Sequence, residues 1–337
     1  RRVGRGHFVT LVFLGTPDFA VPSLVRLHEA GHEILAVLTR PDRPAGRGQK
    51  VRASAVKREA LFRGLHIHQP VRLDANVLET LRGVGPEAVV VVAYGLILPP
   101  TLLHLPPLGC INLHASLLPR YRGAAPIIHA ILRGETRTGV TSLMMDEGID
   151  TGPILLQREC PIGPGETAGD LEARLAPLGA ALLVETLDKL SRGDLTPQTQ
   201  NVDRGTYAPR VGPETARIAW RQLAPIVVNL VRAMNPRPGA SAMMGDRRMK
   251  IWRAAIGPPA LGGDREMNPG TVIIEAGLPR VICGQGTTLL LREIQFESRR
   301  RVSGEEAASG RWLLHGDRFD EPPNEAPEGT GPATALL

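Results

Sequence analysis

The chain has 337 residues, a hydrophobic fraction of 42% and a formal net charge of +6. That length suits two domains, and that composition excludes wholesale disorder. Three scattered cysteines without Cys-x-x-Cys spacing argue against a disulfide framework and a structural zinc site. The longest apolar run, residues 88–98, is too short to span a bilayer. We therefore expect a cytoplasmic protein with no metal and no membrane association.

Strand and helix patterns alternate through the first half of the chain. Strands are predicted at residues 8–14, 34–38, near 66, and at 88–93, 110–113, 140–145 and 154–157. Helical spacing or start signals lie between them near 21–27, 54–62, 76–81 and 127–132, and a long helix follows at 168–191. This alternation predicts a doubly wound α/β domain over residues 7–193, with its active site beyond the strand carboxyl ends.

The pattern changes after Gly193. Residues 194–210 are polar and rich in turn formers, which is typical of a linker. A helix at 219–234 precedes short strand-like runs at 241–244, 249–254, 270–275, 281–283 and 288–294. Such runs predict a small β-barrel or sandwich over residues 211–317. Residues 318–337 combine Pro, Glu and Gly without an apolar period, which predicts a disordered tail.

Three polar residues follow predicted strands of the first domain. Asn112 and His114 are two apart, so they share one face of their strand. Asp150 lies in a glycine-containing turn between two later strands. An amide, an imidazole and a carboxylate could stabilise an oxyanion and move a proton, as acyl transfer to an amine requires. The spacing alone leaves open a structural hydrogen-bonding pair and an ordinary turn aspartate.

Four sequence stretches make the assignment more specific. They are NLHASLLPRYRG (112–123), MDEGIDTGP (145–153), GTPDFA (15–20) and TRPDRPAGRG (39–48). The first two closely resemble the signature of the folate-dependent formyltransferases. The other two, with TYA (206–208), narrow the resemblance to the members that formylate charged initiator tRNA. The resemblance runs from about Phe8 to about Arg318.

The resemblance implies a donor, an acceptor and a role for each matching residue. Asn112 and His114 would bind the oxyanion, and Asp150 would tune His114 and organise proton transfer. The donor would be 10-formyltetrahydrofolate and the acceptor the amino group of methionine on initiator tRNA. The implied folate site comprises Tyr94, Leu96, Ile97, Leu98, Ser116, Leu117, Leu118, Pro119 and, less directly, Asp146. A bacterial enzyme acting as a monomer is expected.

Residues 40–58 carry seven basic residues and a single acid, Asp42. The glycines and prolines in this segment predict a mobile loop that could order on a phosphate backbone. By resemblance, Arg47 and then Arg43 would enter the acceptor stem, with Lys50 nearby. The second domain resembles the family's oligonucleotide-binding (OB) barrel, where Arg247, Arg248 and Lys250 are candidate contacts. A solvated basic face and an ordinary polar hairpin remain alternatives.

Other functions fit the sequence less well. A formyltransferase acting on glycinamide ribonucleotide or a sugar amine, or a formyltetrahydrofolate hydrolase, would share Asn112, His114 and Asp150. Those enzymes would not require the basic segment or the second domain. A nonenzymatic RNA-binding protein would not need the catalytic set. A Rossmann dehydrogenase is disfavoured because no Gly-x-Gly-x-x-Gly follows the first strand.

Overall fold

A computed structural model describes residues 8–45 and 50–322 of the chain. The chain divides after Arg210 into two compact units. Residues 194–210, which the sequence predicts as a linker, fall within the first unit and pair with it, since Arg122 and Tyr207 form a parallel β-bridge.

The first unit contains a seven-stranded sheet and a separate hairpin. Its strands are β1 (Thr10–Gly15), β2 (Glu33–Leu38), β3 (Arg43–Ala45), β4 (Lys50–Arg52), β5 (Ile67–His68), β6 (Ala88–Val92), β7 (Cys110–His114), β8 (Arg137–Met144) and β9 (Ile154–Pro161). The sheet order is β5-β2-β1-β6-β7-β8-β9. The first five of these run parallel, whereas β8 and β9 are antiparallel to their neighbours.

Six helices accompany this sheet. They are α1 (Val21–Glu29), α2 (Ala55–Phe62), α3 (Ala75–Val84), α4 (Pro100–Leu103), α5 (Pro126–Leu132) and α6 (Ala168–Ser191). Side-chain caps fix where several begin, because Ser54 and Asp74 accept backbone N–H groups at α2 and α3. Thr167 and Asp170 form a capping box at α6. The predicted α/β domain is confirmed.

The central strand explains why the sheet is covered on both faces. All five residues of β6 are buried, and alternate side chains of a strand point to opposite faces. One core cluster joins Val89 and Val91 to Leu102 and Leu103 of α4. The carboxyl end of β7 therefore emerges next to a rigid core, where its last side chains are held in place.

The second unit is an antiparallel sheet with two helices. Its elements are α7 (Ala224–Ala233), β10 (Ala240–Met244), β11 (Arg247–Ile256), β12 (Val272–Glu275), β13 (Leu278–Ile282), β14 (Thr288–Phe296), β15 (Val302–Ser303) and α8 (Gly304–Ser309). The strand order is β10-β11-β14-β13-β12, and β15 pairs with β14. The predicted domain of short antiparallel strands is confirmed.

The segment after Asp317 joins the two ends of this sheet. Arg318 bridges Thr271 next to β12, and the Asp320 N–H donates to the Met243 carbonyl of β10 at 2.8 Å. Phe319 is 1% exposed and stacks on Trp220 with ring centroids 5.1 Å apart. The prediction of disorder is therefore wrong for residues 318–322. One aromatic anchor and distant backbone partners order this segment without any local apolar period.

Candidate active site

The three predicted catalytic residues lie together at the carboxyl end of β7. Asn112 Nδ2 donates to Asp150 Oδ1 at 3.1 Å, and His114 Nδ1 is 3.4 Å from Asp150 Oδ2. Leu113 points the other way, where an added Cβ on Gly179 of α6 would lie 2.5 Å from it. Close packing of α6 on Leu113 thus fixes the strand end that presents Asn112 and His114.

Asp150 occupies an unusual backbone conformation. Its φ of 54° lies in the left-handed region, which non-glycine residues seldom adopt. The Asp150 Oδ2 atom also accepts the Gly123 N–H at 2.8 Å. The side chains of His114 and Asp150 are only 6% and 14% exposed, so water screens their interaction weakly.

Both ring nitrogens of His114 face oxygen atoms. Nε2 lies 2.8 Å from the Tyr121 carbonyl oxygen, which can only accept, so Nε2 donates there. Nδ1 faces the Asp150 carboxylate. The backbone carbonyl thus fixes the ring orientation and turns Nδ1 toward the carboxylate.

Tyr121 supports the histidine through its backbone and not through its phenol. Its hydroxyl donates to Glu135 Oε1 at 2.6 Å. Burial and the neighbouring Glu135 raise the pKa of Tyr121 to about 12. The phenol thus keeps its proton near neutral pH and does not act as a general base.

A second segment holds the loop that carries Tyr121. The Tyr121 N–H donates to Thr206 Oγ1 at 2.8 Å, and the Arg122 N–H donates to the Thr206 carbonyl at 2.8 Å. The Ala208 N–H returns a bond to the Arg122 carbonyl at 2.6 Å. Residues 206–208 thus form a backbone ladder beside the active-site loop.

An open cavity of about 450 Å³ is lined by the three predicted catalytic residues, Asn112, His114 and Asp150. Small or apolar residues from four segments, within 17–19, 93–95, 113–115 and 123–128, also line it. Two charged residues that sequence reasoning missed, Glu172 and Arg210, also line it. They come from α6 and the predicted linker, far from the motifs in sequence. The adjacent TYA stretch was the one signal that pointed toward Arg210.

The predicted folate residues of the NLHASLLPRYRG stretch, residues 116–119, make contacts within the active-site loop and with β8. Ser116 is buried and its hydroxyl donates to the Arg120 carbonyl at 2.6 Å. The Leu118 N–H donates to Thr141 Oγ1 at 3.2 Å, and the Leu118–Pro119 peptide bond is cis. Leu117 packs against Gly139. The neighbouring Ala115, and not these four residues, contributes to the cavity wall.

The other predicted folate residues divide between core and surface. Tyr94 and Leu98 are buried in the sheet core and Leu96 packs against it, whereas Ile97 is 87% exposed. Ala93 and Gly95, on either side of Tyr94, line the cavity. Exposed Asp146 accepts bonds from the Gly148 N–H and the Thr151 hydroxyl, which shapes the turn before Asp150. The predicted residues Tyr94, Leu96, Ile97, Leu98 and Asp146 therefore lie near the cavity in sequence but do not line it.

The predicted mobile basic loop contains regular structure. Strands β3 and β4 pair as an antiparallel hairpin, with Arg43 exposed on β3. Lys57 lies in α2 and its Nζ forms a 2.7 Å ion pair with Asp42. Arg47 and the side chain of Lys50 lie outside the described residues.

The three basic candidates of the second unit lie on β11 and differ in surroundings. Arg247 and Arg248 are exposed, and the Arg247 guanidinium lies 5.3 Å from the Phe296 ring centroid. Lys250 Nζ instead donates to the Pro238 carbonyl at 2.7 Å. Burial, with nearby Arg248 and Arg301, lowers the pKa of Lys250. The Lys250 ammonium group thus binds a backbone carbonyl of its own unit, so it is a less suitable RNA contact than Arg247 or Arg248.

Comparison with known proteins places this geometry in a family. A model described as "Formyl transferase" matches residues 9–187, and a model described as "Formyl transferase, C-terminal domain" matches residues 210–311. The chain belongs to the formyl transferase family. The formyl transferase assignment makes the chain an enzyme and explains why its motifs converge on one cavity.

Curated relatives of this formyl transferase cover nearly its whole length. A protein from Solibacter usitatus named methionyl-tRNA formyltransferase is 46% identical over 92% of this chain and 98% of its own. One of the same name from Caldanaerobacter subterraneus is 44% identical over 91% of this chain and 98% of its own.

Solved structures of lower identity share the fold. An N-formyltransferase from Helicobacter canadensis has a TM-score of 0.61 at 19% identity, covering 84% of this chain and 99% of that one. HypX from Aquifex aeolicus has a TM-score of 0.62 at 17% identity, covering 91% of this chain and 48% of that one.

The described part of this formyl transferase has neither a cluster of metal-binding side chains nor a membrane-spanning helix. Within residues 8–45 and 50–322, no three His, Cys, Asp or Glu side chains cluster as metal ligands would. Across the same part of the chain, no helix is both long and apolar enough to cross a bilayer.

Proposed function

We propose that this enzyme transfers the formyl group of 10-formyltetrahydrofolate to the α-amino group of methionine carried by initiator tRNA. The observation that carries the proposal is the cluster of Asn112, His114 and Asp150, which lines an open cavity. The two relatives named above, whose length this chain covers almost completely, support the choice of acceptor.

The cluster can perform both operations that formyl transfer needs. The methionine nitrogen attacks the formyl carbon, a C–N bond forms and the carbonyl oxygen becomes an oxyanion. One N–H of Asn112 binds Asp150, and we assign its second N–H to the oxyanion. His114, beside Asp150 in the same cluster, completes the polar surroundings of the reacting carbon. The proton of the attacking amine passes to Asp150.

Collapse of the tetrahedral intermediate completes the reaction. The bond between the formyl carbon and N10 of the folate breaks, and N10 leaves with a proton, which gives tetrahydrofolate. The leaving nitrogen takes that proton from the Asp150–His114 pair, so the pair ends in its starting state. The Asp150 carboxylate lies 3.4 Å from His114 Nδ1, which places both polar groups beside the reacting atoms in this assignment.

The folate donor is assigned to the cavity edge near residues 93–98 and 116–119. Exposed Ile97 and the cavity-lining Ala93 and Gly95 offer an apolar face and accessible backbone for a flat ring. We retain Tyr94, Leu96, Leu98, Asp146 and residues 116–119 as the frame of this site. The Helicobacter structure contains folinic acid and the Aquifex structure contains tetrahydrofolic acid, which supports a folate-derived donor for this enzyme.

The tRNA is assigned to basic groups on each unit. Arg210 lines the cavity, and Arg43, Arg47 and Lys50 belong to the hairpin segment between β2 and α2. Arg247 and Arg248 are the candidates in the second unit. Such groups supply a salt-dependent attraction to phosphates. An enzyme that acts on charged tRNA is expected in the bacterial cytoplasm, and we propose that it acts as a monomer.

The deciding experiment compares acceptors side by side. The enzyme is given 10-formyltetrahydrofolate with methionyl initiator tRNA, glycinamide ribonucleotide, a nucleotide-linked amino sugar, or water alone. Formylation of the charged tRNA only is the expected result. Folate turnover without formylated tRNA would contradict the acceptor assignment, and no turnover with any acceptor would contradict the catalytic assignment as well.

A further inference from the structure

We infer that Gln200 and Arg122 are positioning residues that hold the Asp150 carboxylate against His114. Gln200 lies outside the four signature motifs, in the segment predicted as a linker, yet it is only 5% exposed. Its Nε2 donates to the Asp150 carbonyl at 2.8 Å and to the Gly152 carbonyl at 2.7 Å. The inference rests on the proposed function, since it concerns the same catalytic set.

The amide of Gln200 has a fixed orientation. Its Oε1 accepts from Arg122 Nε at 3.1 Å and from Arg122 Nη2 at 2.8 Å. A guanidinium only donates, so the oxygen of the amide must face Arg122 and the NH2 group must face the Asp150 turn. Both hydrogens of that NH2 group are then used on two carbonyls of one turn.

The contacts form a closed circuit around Asp150. Arg122 is paired through its backbone with Thr206 and Ala208, and the next residue, Gly123, donates its N–H to Asp150 Oδ2 at 2.8 Å. Gln200 therefore donates a hydrogen bond to the backbone of Asp150, and Gly123 donates one to its side chain. Arg122 links these two contacts, because it donates to Gln200 and directly precedes Gly123.

Asp150 needs such support because its conformation is unfavourable. A left-handed aspartate persists only where its surroundings determine it. The turn is also tight, because a Cβ on Gly152 would lie 1.9 Å from the Met144 carbonyl oxygen. Without the Gln200 bonds the turn can relax, which would move the carboxylate away from His114.

The first test replaces Gln200 by Leu, which keeps the volume and removes the hydrogen bonds. We expect kcat to fall roughly 10- to 100-fold with KM for folate and tRNA within about threefold of wild type, because misplacement affects the reacting geometry and not binding. Gln200→Glu keeps the Arg122 contact but loses both donors, and it should fall equally. Gln198→Leu is the matched control, since Gln198 is exposed and contributes backbone bonds to Ile154.

A double-mutant cycle separates positioning from general stabilisation. In an Asp150→Asn background, Gln200→Leu should reduce the single-turnover rate less than about threefold, because the group that it positions is already disabled. Losses that multiply fully in the double variant would overturn the inference. So would a fall in kcat matched by an equal fall in the folded fraction, measured by thermal unfolding.

A final readout does not depend on the acceptor. ¹⁵N NMR of the free enzyme labelled at histidine reports the protonation of His114 Nδ1 and Nε2. Gln200→Leu and Gln200→Glu should both shift the His114 resonances, and Gln198→Leu should not. Unchanged resonances would overturn the positioning role. If the wild type fails to formylate methionyl-tRNA while these shifts occur, the proposed function fails and the positioning inference stands.

Discussion

At the scale of single residues, Asp150 determines how the site works. It accepts from Asn112 at one carboxylate oxygen and from Gly123 at the other, with His114 alongside. Its three neighbours come from β7 and the loop that follows, so one carboxylate joins both parts of the site. Removal of the carboxylate would leave the Gly123 N–H and the Asn112 amide without their acceptor in a largely buried setting.

The first prediction concerns Asp150→Asn and His114→Ala. Each should lower kcat about 100- to 10,000-fold, because each removes a group that moves a proton or stabilises charge. KM for charged tRNA should change far less, since neither side chain binds the body of the tRNA. Steady-state kinetics with varied tRNA check this. An equal effect on kcat and on tRNA affinity would contradict the assigned roles.

A second residue-scale prediction concerns Arg210, a cation at the cavity wall. Arg210→Ala should raise KM for tRNA and reduce the slope of log affinity against log salt by about one, as for a single lost phosphate contact. Arg204→Ala is the matched control, because Arg204 is exposed in the same segment but does not line the cavity. Binding titrations at several salt concentrations would show the difference; identical slopes for both variants would refute the assignment.

At the scale of elements, a buried histidine joins the start of β1 to the turn before β2. The Val9 N–H donates to His32 Nδ1 at 3.2 Å, and His32 is 6% exposed. Burial lowers the pKa of His32 from its ordinary 6.5, against a smaller opposing effect of Asp188. The folded chain therefore keeps this ring neutral where the unfolded chain would protonate it.

That difference predicts how stability changes with pH. Below about pH 6.5 the unfolded state takes up a proton at His32 and the folded state does not, so this residue makes stability fall as pH falls. His32→Asn keeps an acceptor for Val9 without titrating. The difference in melting temperature between wild type and His32→Asn should shrink from pH 7.5 to 5.5. A constant difference across that range would show that His32 does not contribute.

Elements whose residues show a local hydrophobic or capping pattern could be predicted from the sequence. Features that depend on contacts with residues far away in the chain could not. The valines of β6 and the bounds of α6 follow directly from the sequence. The hairpin of β3 and β4 was missed because its pairing strands are only three residues long and carry turn-forming residues. The candidate catalytic residues were predicted from their motifs, and the structure brings all three together. Gln200 was not predicted, because its partners are fifty residues away.

At the scale of the whole molecule, the second unit depends on residues near the end of the described chain. Phe319 stacks on Trp220. The residues on either side of Phe319, Arg318 and Asp320, pair with the two ends of the sheet. No periodic apolar pattern predicts that residues 318–322 are ordered, because a single buried aromatic side chain, Phe319, makes the contact.

Phe319→Ala should therefore destabilise the second unit by about 3–5 kcal/mol, the range for deleting a buried aromatic side chain. Ile256→Ala is a suitable control, since Ile256 is 59% exposed in the same unit. Urea unfolding monitored by tryptophan fluorescence measures both. A second comparison sets a chain ending at Asp317 against one ending at Pro322, and equal stability of these two would rule out a role for residues 318–322.

The ladder between the Tyr121 loop and residues 206–208 has a consequence for synthesis. Tyr121 and Thr206 are 85 residues apart in the chain. At about 5–20 residues per second, the ribosome makes the loop roughly 4–17 seconds before it makes the segment that frames it. The nascent chain thus carries the candidate catalytic side chains for several seconds before the segment that pairs with their loop exists. We expect this site to be ordered only after residues 206–208 have been made.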